Sequence, residues 1–384
     1  MKLIQKIALI FSSFSTFFIV TGMIPISTSI QNFFNISEEK TSFVITFSSL
    51  VCGVTAFFSG LTIDRFGAKL IMLCGCLLMS LSGIVLYNVQ DLFIFTAFRG
   101  VLGISNAMIM TSTFSYAATY IEDKNDRKQF FSIHSILMVC AVLSTTFITT
   151  FVMQKINLRS VFLIYFFAGI VGFVFNLSLQ RHQSTTTRNV SIVEGFKGLP
   201  LKTYLIPVCV SISFMFFYGM AVEIPFKLRN IGFYNELHTT YIISSGSIIS
   251  IIFTFIYRAK FTNVSDFILH TLCCVMLFGG YTIFPHASNI PMIILSIAFL
   301  YIPMGYLPPS LNPWITDGIN KNIIGRVSSL ITVFIYLGIF LSAYVPILLK
   351  RNILFIYGLL LIYFAVVFLL EKVIKNDHKL KTAV

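Results

Sequence analysis

Few residues in this chain could do chemistry, and they fall into three groups. Arg99 is a cation inside an apolar stretch, residues 92–119, that is long enough to cross a bilayer. Placing such a charge there costs at least several kcal/mol, so it must face a partner or a cavity, or reach the surface. It could anchor an anionic group of a substrate, or sit near the helix end and snorkel to the headgroups beside Asp91. Glu223 lies in a second apolar stretch and is the best candidate for a carboxyl that takes up and releases a proton. It could equally form an ordinary pair at the rim with Lys227 and Arg229. The third group is Gly60-Leu61-Thr62-Ile63-Asp64-Arg65-Phe66-Gly67-Ala68-Lys69, which joins two apolar stretches. Gly60 lets another helix approach closely, and Gly67 permits a tight turn. Asp64 can accept N–H bonds from the start of a neighbouring helix.

The elements that must position these groups are membrane helices. Only 11% of the residues are charged and 57% are hydrophobic. A soluble domain carries about 25% charged residues, so a water-soluble enzyme is excluded. Twelve apolar segments stand out: 6–28, 41–63, 69–89, 92–119, 130–153, 160–180, 203–225, 238–257, 265–284, 290–315, 326–348 and 353–371. At about 20 residues each, they leave only short connections. The fold class is all-α, polytopic, with twelve transmembrane helices as two pseudo-symmetric six-helix bundles. The expected domains are a first bundle at 1–180, a linker at 181–202, a second bundle at 203–373 and a tail at 374–384.

The net charge of +13 is a topology signal rather than a nucleic-acid footprint. With a cytoplasmic N-terminus, 19 of the 27 basic residues fall on the inward side and 7 on the outward side. That bias places both termini in the cytoplasm of a multi-pass cell-membrane protein. The seven cysteines all lie in apolar segments without metal-ligand spacing, so neither metal nor cofactor is expected. No G-x-x-x-x-G-K-[ST] pattern appears, which argues against direct ATP drive; the proton-motive force is one energy source to expect, beside uncoupled transport.

Internal echoes support a duplicated unit. Arg159-Ser160-Val161-Phe162-Leu163-Ile164-Tyr165 resembles Arg351-Asn352-Ile353-Leu354-Phe355-Ile356-Tyr357. The Asp123–Arg127 stretch resembles Asn320-Lys321-Asn322 followed by Gly325-Arg326. Span ten carries Pro303, Gly305, Pro308, Pro309 and Pro313. So many missing donors predict a helix that bends and borders a cavity, with Asn312 among its polar groups.

The 60–69 stretch resembles the G-x-x-x-D-R-x-G-[RK]-[RK] signature of the major facilitator superfamily. Gly60, Asp64, Arg65, Gly67 and Lys69 match; Ala68 stands where an arginine is frequent. Arg99-Gly100-Val101-Leu102-Gly103 resembles the family's R-x-x-x-G pattern. Leu158–Phe162 resembles its W-R-x-x-F start of span six, with Leu158 for Trp. Pro25 to Ser37 looks like the first outward loop. The resemblance implies alternating access around a cavity lined by spans 1, 4, 7 and 10. It implies a conformational latch in which Asp64 meets the start of span eleven at Gly325 and Arg326. A charge relay would extend to Glu122 or Asp123 at the end of span four, with Arg127 beside it; Ala68 puts that relay in doubt, since Lys69 has no guanidinium fork. It also gives Arg99 a third reading, as an aid to proton transfer.

The substrate or proton pathway is therefore expected at Arg99, Gly103, Asn106, Glu223, Pro303, Gly305 and Asn312. Further polar candidates are Gln31, Asn32, Ser105 and Tyr218. His134 is expected at headgroup level. The glycine-proline pattern of drug antiporters is absent from Met138 to Thr150. The expectation is a monomeric secondary transporter of a small organic solute, not an enzyme and not a nucleic-acid binder, most simply a proton-coupled exporter. The alternatives are an uptake permease and a non-transporting receptor.

Overall fold

The structure is a computed structural model and describes residues 3–121, 124–180, 201–261, 264–316, 324–351 and 353–382. Within these, only the backbone is described at 60–61, 64, 118, 124–129, 131–132, 135–136, 139, 202, 258, 261, 266, 308–316, 324–329, 349–351 and 373–382. The expected linker lies outside the described residues except for its last two. The described residues are helical and contain no strand.

Among the described residues, eleven segments are long and apolar enough to cross a membrane. They belong to α1 (Leu3–Val20), α3 (Glu38–Phe66), α4 (Ala68–Asn88), α5 (Leu92–Tyr120), α7 (Ser160–Leu177), α8 (Lys202–Asn230), α9 (Glu236–Ile256), α10 (Asp266–Ile283), α11 (Ile290–Thr316), α12 with α13 (Ile324–Leu341 and Val345–Arg351) and α14 (Ile353–Thr382). Between α5 and α7 runs α6 (Lys124–Lys155), a continuous 32-residue helix where the fifth span was expected.

Local chemistry sets the ends. Ser37 caps α3, its Oγ accepting from the Lys40 N–H, and Glu38 and Glu39 occupy the first turn, where the helix dipole favours anions. Asp91 caps α5 by accepting from the Ile94 N–H at 2.8 Å. Pro25 does not begin a simple loop. The chain turns over 21–26 and then forms the short helix α2 (Ser27–Phe34), closed by Asn35 in the left-handed region. Helix continuity differs between spans ten and eleven. The helix assignment of α11 runs unbroken through Pro303, Pro308, Pro309 and Pro313. Span eleven is interrupted by a tight turn at Ser342–Tyr344. Pro346 explains it, having no N–H to give the Ser342 carbonyl.

The chain divides into two compact units, Met1–Arg188 with Ile224–Ser244, and Asn189–Glu223 with Ser245–Val384. In the first, α3 packs along α5, α4 lies against α5 and α7, and α1 touches α5, α6 and α7. Phe18, Ile19, Met23, Met79, Phe95, Leu102, Phe162 and Tyr165 belong to one buried cluster of this unit. In the second, α10 packs against α11 and α14. The lipid-facing sides carry exposed large side chains such as Phe93, Phe167 and Leu361, as expected of helices solvated by hydrocarbon.

Candidate functional site

Arg99 does not snorkel, and Asp91 is not its partner, because Asp91 is engaged as the α5 cap. The arginine is fully buried, 0% exposed. One terminal nitrogen donates to the Ile19 carbonyl of α1 at 2.9 Å. The other donates to the Ile45 carbonyl of α3 at 2.6 Å and to Ser48 Oγ at 3.0 Å. The Tyr165 hydroxyl of α7 is a further hydrogen-bonding neighbour, and it donates in turn to the Phe18 carbonyl at 2.8 Å. Among the described residues no carboxylate pairs with Arg99. Its charge is balanced by oriented carbonyl and hydroxyl dipoles from three neighbouring helices.

The reason this is possible is one turn further along α5. A Cβ added at Gly103 would lie 2.2 Å from the Ser48 carbonyl oxygen. Glycine thus lets α3 and α5 touch backbone to backbone, and that contact brings the α3 carbonyls within reach of Arg99. The R-x-x-x-G spacing is four residues because four residues return to the same helix face. Ser105 and Asn106, expected to line a cavity, are also buried, and Ser105 Oγ donates to the Gly75 carbonyl of α4.

The same backbone contact recurs in the second unit. A Cβ at Gly305 of α11 would lie 2.6 Å from the Ser250 carbonyl oxygen of α9. Gly103 to Gly305 and Ser48 to Ser250 are equal steps of 202 residues. Tyr301 holds the position that Arg99 holds in the first unit, with its ring against Gly246 and edge-on to Phe217 at 4.7 Å. Pro303 lies buried between these two positions. Glu223 of α8 is also buried, at 8% exposure. Tyr281 of α10 donates to the Phe216 carbonyl, about two turns before Glu223 on α8. Tyr218 stacks with Phe214 at 6.3 Å.

At the 60–69 turn, Gly67 has φ +84° and separates α3 from α4. Arg65 is exposed, its guanidinium 5.3 Å from the Phe66 ring centre. Lys69 has a partner that the sequence did not disclose. Its Nζ donates to the Leu177 and Leu179 carbonyls, at 2.8 and 2.5 Å, at the end of α7. A cation there satisfies orphan carbonyls and complements the helix dipole. Gln5 joins it on the Ser178 carbonyl. Only the backbone is described at Gly60, Asp64, Arg127, Asn312, Gly325 and Arg326, and Glu122 lies outside the described residues. His134 is buried, with its ring 5.3 Å from that of Phe114.

These positions fall within a broader match. The family model for the Major Facilitator Superfamily matches residues 9–343. The chain belongs to the major facilitator superfamily. It is accordingly a multi-pass membrane protein and a secondary transporter of small molecules rather than an enzyme. It is also similar to a Bacillus subtilis (strain 168) protein named "Multidrug resistance protein 2", with 25% identity over 334 residues, covering 81% of this chain and 80% of that one. Within this superfamily member, the sequence motifs missed three contributors: Ser48 and Tyr165 around Arg99, and the α7 end that receives Lys69. Their signals were serine, tyrosine and carbonyl groups, which are common in any membrane helix.

Proposed function

We propose that this transporter exports a small organic solute in exchange for protons, working by alternating access as twelve helices in two six-helix bundles. It acts as a monomer in the cell membrane, with both termini cytoplasmic and no cofactor or nucleic-acid partner. The observation that carries the direction is the similarity, over most of both chains, to a protein named for multidrug resistance. Arg99 supports the coupling. A permanent cation held by dipoles alone raises the cost of a second positive charge nearby and favours a negative one. Protonation changes elsewhere in the path are therefore felt at a fixed reference charge. Glu223 is the carboxyl proposed to cycle, and the Asp64 turn is proposed as the latch against the start of α12.

The test is flux in inverted membrane vesicles with an imposed pH gradient, reading proton movement as compounds are added. A compound that collapses the gradient supports export by exchange. Inserted protein that gives no signal across a broad panel overturns it. Glu223→Gln is expected to abolish pH-driven accumulation while substrate exchange persists; an unchanged pH response removes Glu223. Asp64→Asn is expected to lower flux without preventing insertion, and full flux would sink the latch.

Uptake is the second reading, and one observation favours it. Helix α6 contains no glycine or proline, so it lacks the pattern that drug antiporters carry in this helix. Accumulation in right-side-out vesicles, with none in inverted ones, decides for uptake.

A further inference from the structure

Helices α4 and α7, both in the first unit, meet along a seam of small residues, and the seam shapes the surface beside it. A Cβ added at Gly169 would lie 2.3 Å from Ser80 Oγ, and one at Gly83 would lie 2.5 Å from the Phe166 nitrogen. The two helices run antiparallel in close contact, with Gly83 beside Phe162 and Phe166, and Gly172 beside Cys76. Large side chains stand on either side of that contact. Leu77, Leu81 and Ile84 of α4 and Phe166, Ile170 and Phe173 of α7 wall an open groove of about 330 Å³, with Ser80 among its lining residues. That is the size of a small-molecule site, roughly 300–1,000 Å³.

The groove offers hydrocarbon and little else. Ser80 is its one polar side chain, and its hydroxyl is spent on the Cys76 and Phe166 carbonyls, at 3.1 and 3.2 Å. Leu77, Leu81, Ile84 and Ile170 are exposed on helices long and apolar enough to cross a membrane, so lipid is what lies against them.

A cation stands at each end of the seam. Lys69, at one end, is engaged by the Leu177 and Leu179 carbonyls. Arg159, at the other, precedes Phe166 by seven residues, about two turns, and so shares its face of α7. Its guanidinium lies 5.3 Å from the Phe33 ring centre, and among the described residues no carboxylate pairs with it. A ring face leaves the N–H edge of an arginine open, and that edge matches a phosphate bidentately. The distances suit a lipid. A lipid tail reaches about 15 Å, half of the roughly 30 Å hydrocarbon core. Measured along α7 from Arg159, Phe166 is about 10 Å away and Ile170 about 16 Å.

We propose that the α4–α7 groove holds one acyl chain of an anionic phospholipid whose phosphate sits on Arg159. A lipid that leaves this place gives up both the chain's contacts in the groove and the charge-assisted bonds to its headgroup. The site depends neither on what the transporter carries nor on the direction of transport.

The experiment uses the full chain in lipid nanodiscs, with its one tryptophan replaced (Trp314→Phe) and Phe167→Trp beside the groove as reporter. Quenching by phosphatidylglycerol brominated in its acyl chains is compared with quenching by brominated phosphatidylcholine, each at the same fraction of a phosphatidylcholine bilayer. Phosphatidylglycerol should be preferred roughly fivefold, the factor that one cation near an anionic lipid gives. Arg159→Gln should remove the preference. Lys40→Gln, an exposed change outside the groove, should leave it intact. Ile170→Phe, which narrows the groove, should weaken it with Arg159 in place. A reporter on α14, Leu361→Trp, should show no preference. Equal quenching by the two lipids at Phe167→Trp overturns the site. So does a preference that survives Arg159→Gln, or one that falls as far with Lys40→Gln. An equal preference at Leu361→Trp also overturns it, because the chain's net positive charge then attracts anionic lipid everywhere. A preference lost with Arg159→Gln but untouched by Ile170→Phe overturns the groove as the seat of the acyl chain.

Discussion

The two glycine contacts, Gly103 on Ser48 and Gly305 on Ser250, are the same backbone arrangement carrying different side chains one turn away. In the first unit that side chain is Arg99, bonded to Ile19, Ile45 and Ser48; in the second it is Tyr301, packed on Gly246 and Phe217. The contact is thus a structural element that does not depend on the charge. What the first unit adds is a set of hydrogen-bond acceptors aimed at one point. The second unit fills the same place with an aromatic ring. The same backbone contact thus stands beside a buried cation in one unit and an aromatic ring in the other.

The largest effect expected from breaking this comparison comes from the glycines. Gly103→Val would drive a side chain into the Ser48 carbonyl and force α3 and α5 apart, costing at least about 3 kcal/mol, the upper range for overpacking. Gly305→Val should be the milder of the two, since the approach is 2.6 Å rather than 2.2 Å. The fraction of monodisperse protein after detergent extraction, with the melting temperature, ranks them. Equal losses would mean that the first unit's tighter contact carries no extra weight.

A smaller effect separates the two side chains. Arg99→Lys keeps the charge but cannot reach carbonyls on two helices and a hydroxyl at once. It should cost about 2–3 kcal/mol, the range for hydrogen bonds to a charged group. Tyr301→Phe should cost under about 1 kcal/mol, the typical value of one neutral hydrogen bond. Thermal unfolding of the two variants compares them directly, and similar shifts would erase the proposed division of chemistry. The smallest effect belongs to the 60–69 turn. Lys69→Met removes two bonds at a partly exposed helix end and should lower stability by about 0.5–1 kcal/mol. A melting temperature within error of the parent would mean that water replaces Lys69 at the Leu177 and Leu179 carbonyls.

Much of the fold was legible because membrane helices announce themselves by length and composition. The Asp91 and Ser37 caps, the Gly67 turn and the helix boundaries follow from local chemistry that the sequence carries. The break in span eleven was not anticipated, although Pro346 was in view, because the dense prolines of α11 drew the expectation there. Arg99 and Gly103 were legible as a pair by spacing. Their partners were not, since a carbonyl oxygen belongs to every residue and no side-chain pattern marks which one will be used. The seam between α4 and α7 passed unnoticed for a related reason. Small residues are ordinary in membrane helices, and only the fold brings Gly169 to Ser80.

By itself, then, the sequence determined the class of molecule, its helical framework and the places where charge is costly. Those properties are sums over local residues: hydropathy over about 20 positions, a cap over three, a glycine at a turn. The tertiary structure decided what each costly group touches. Arg99 meets carbonyls rather than a carboxylate, Lys69 meets the end of α7, and Ser80 meets the Phe166 carbonyl. Such pairings depend on distances between segments far apart in the chain, which packing sets and local composition does not encode.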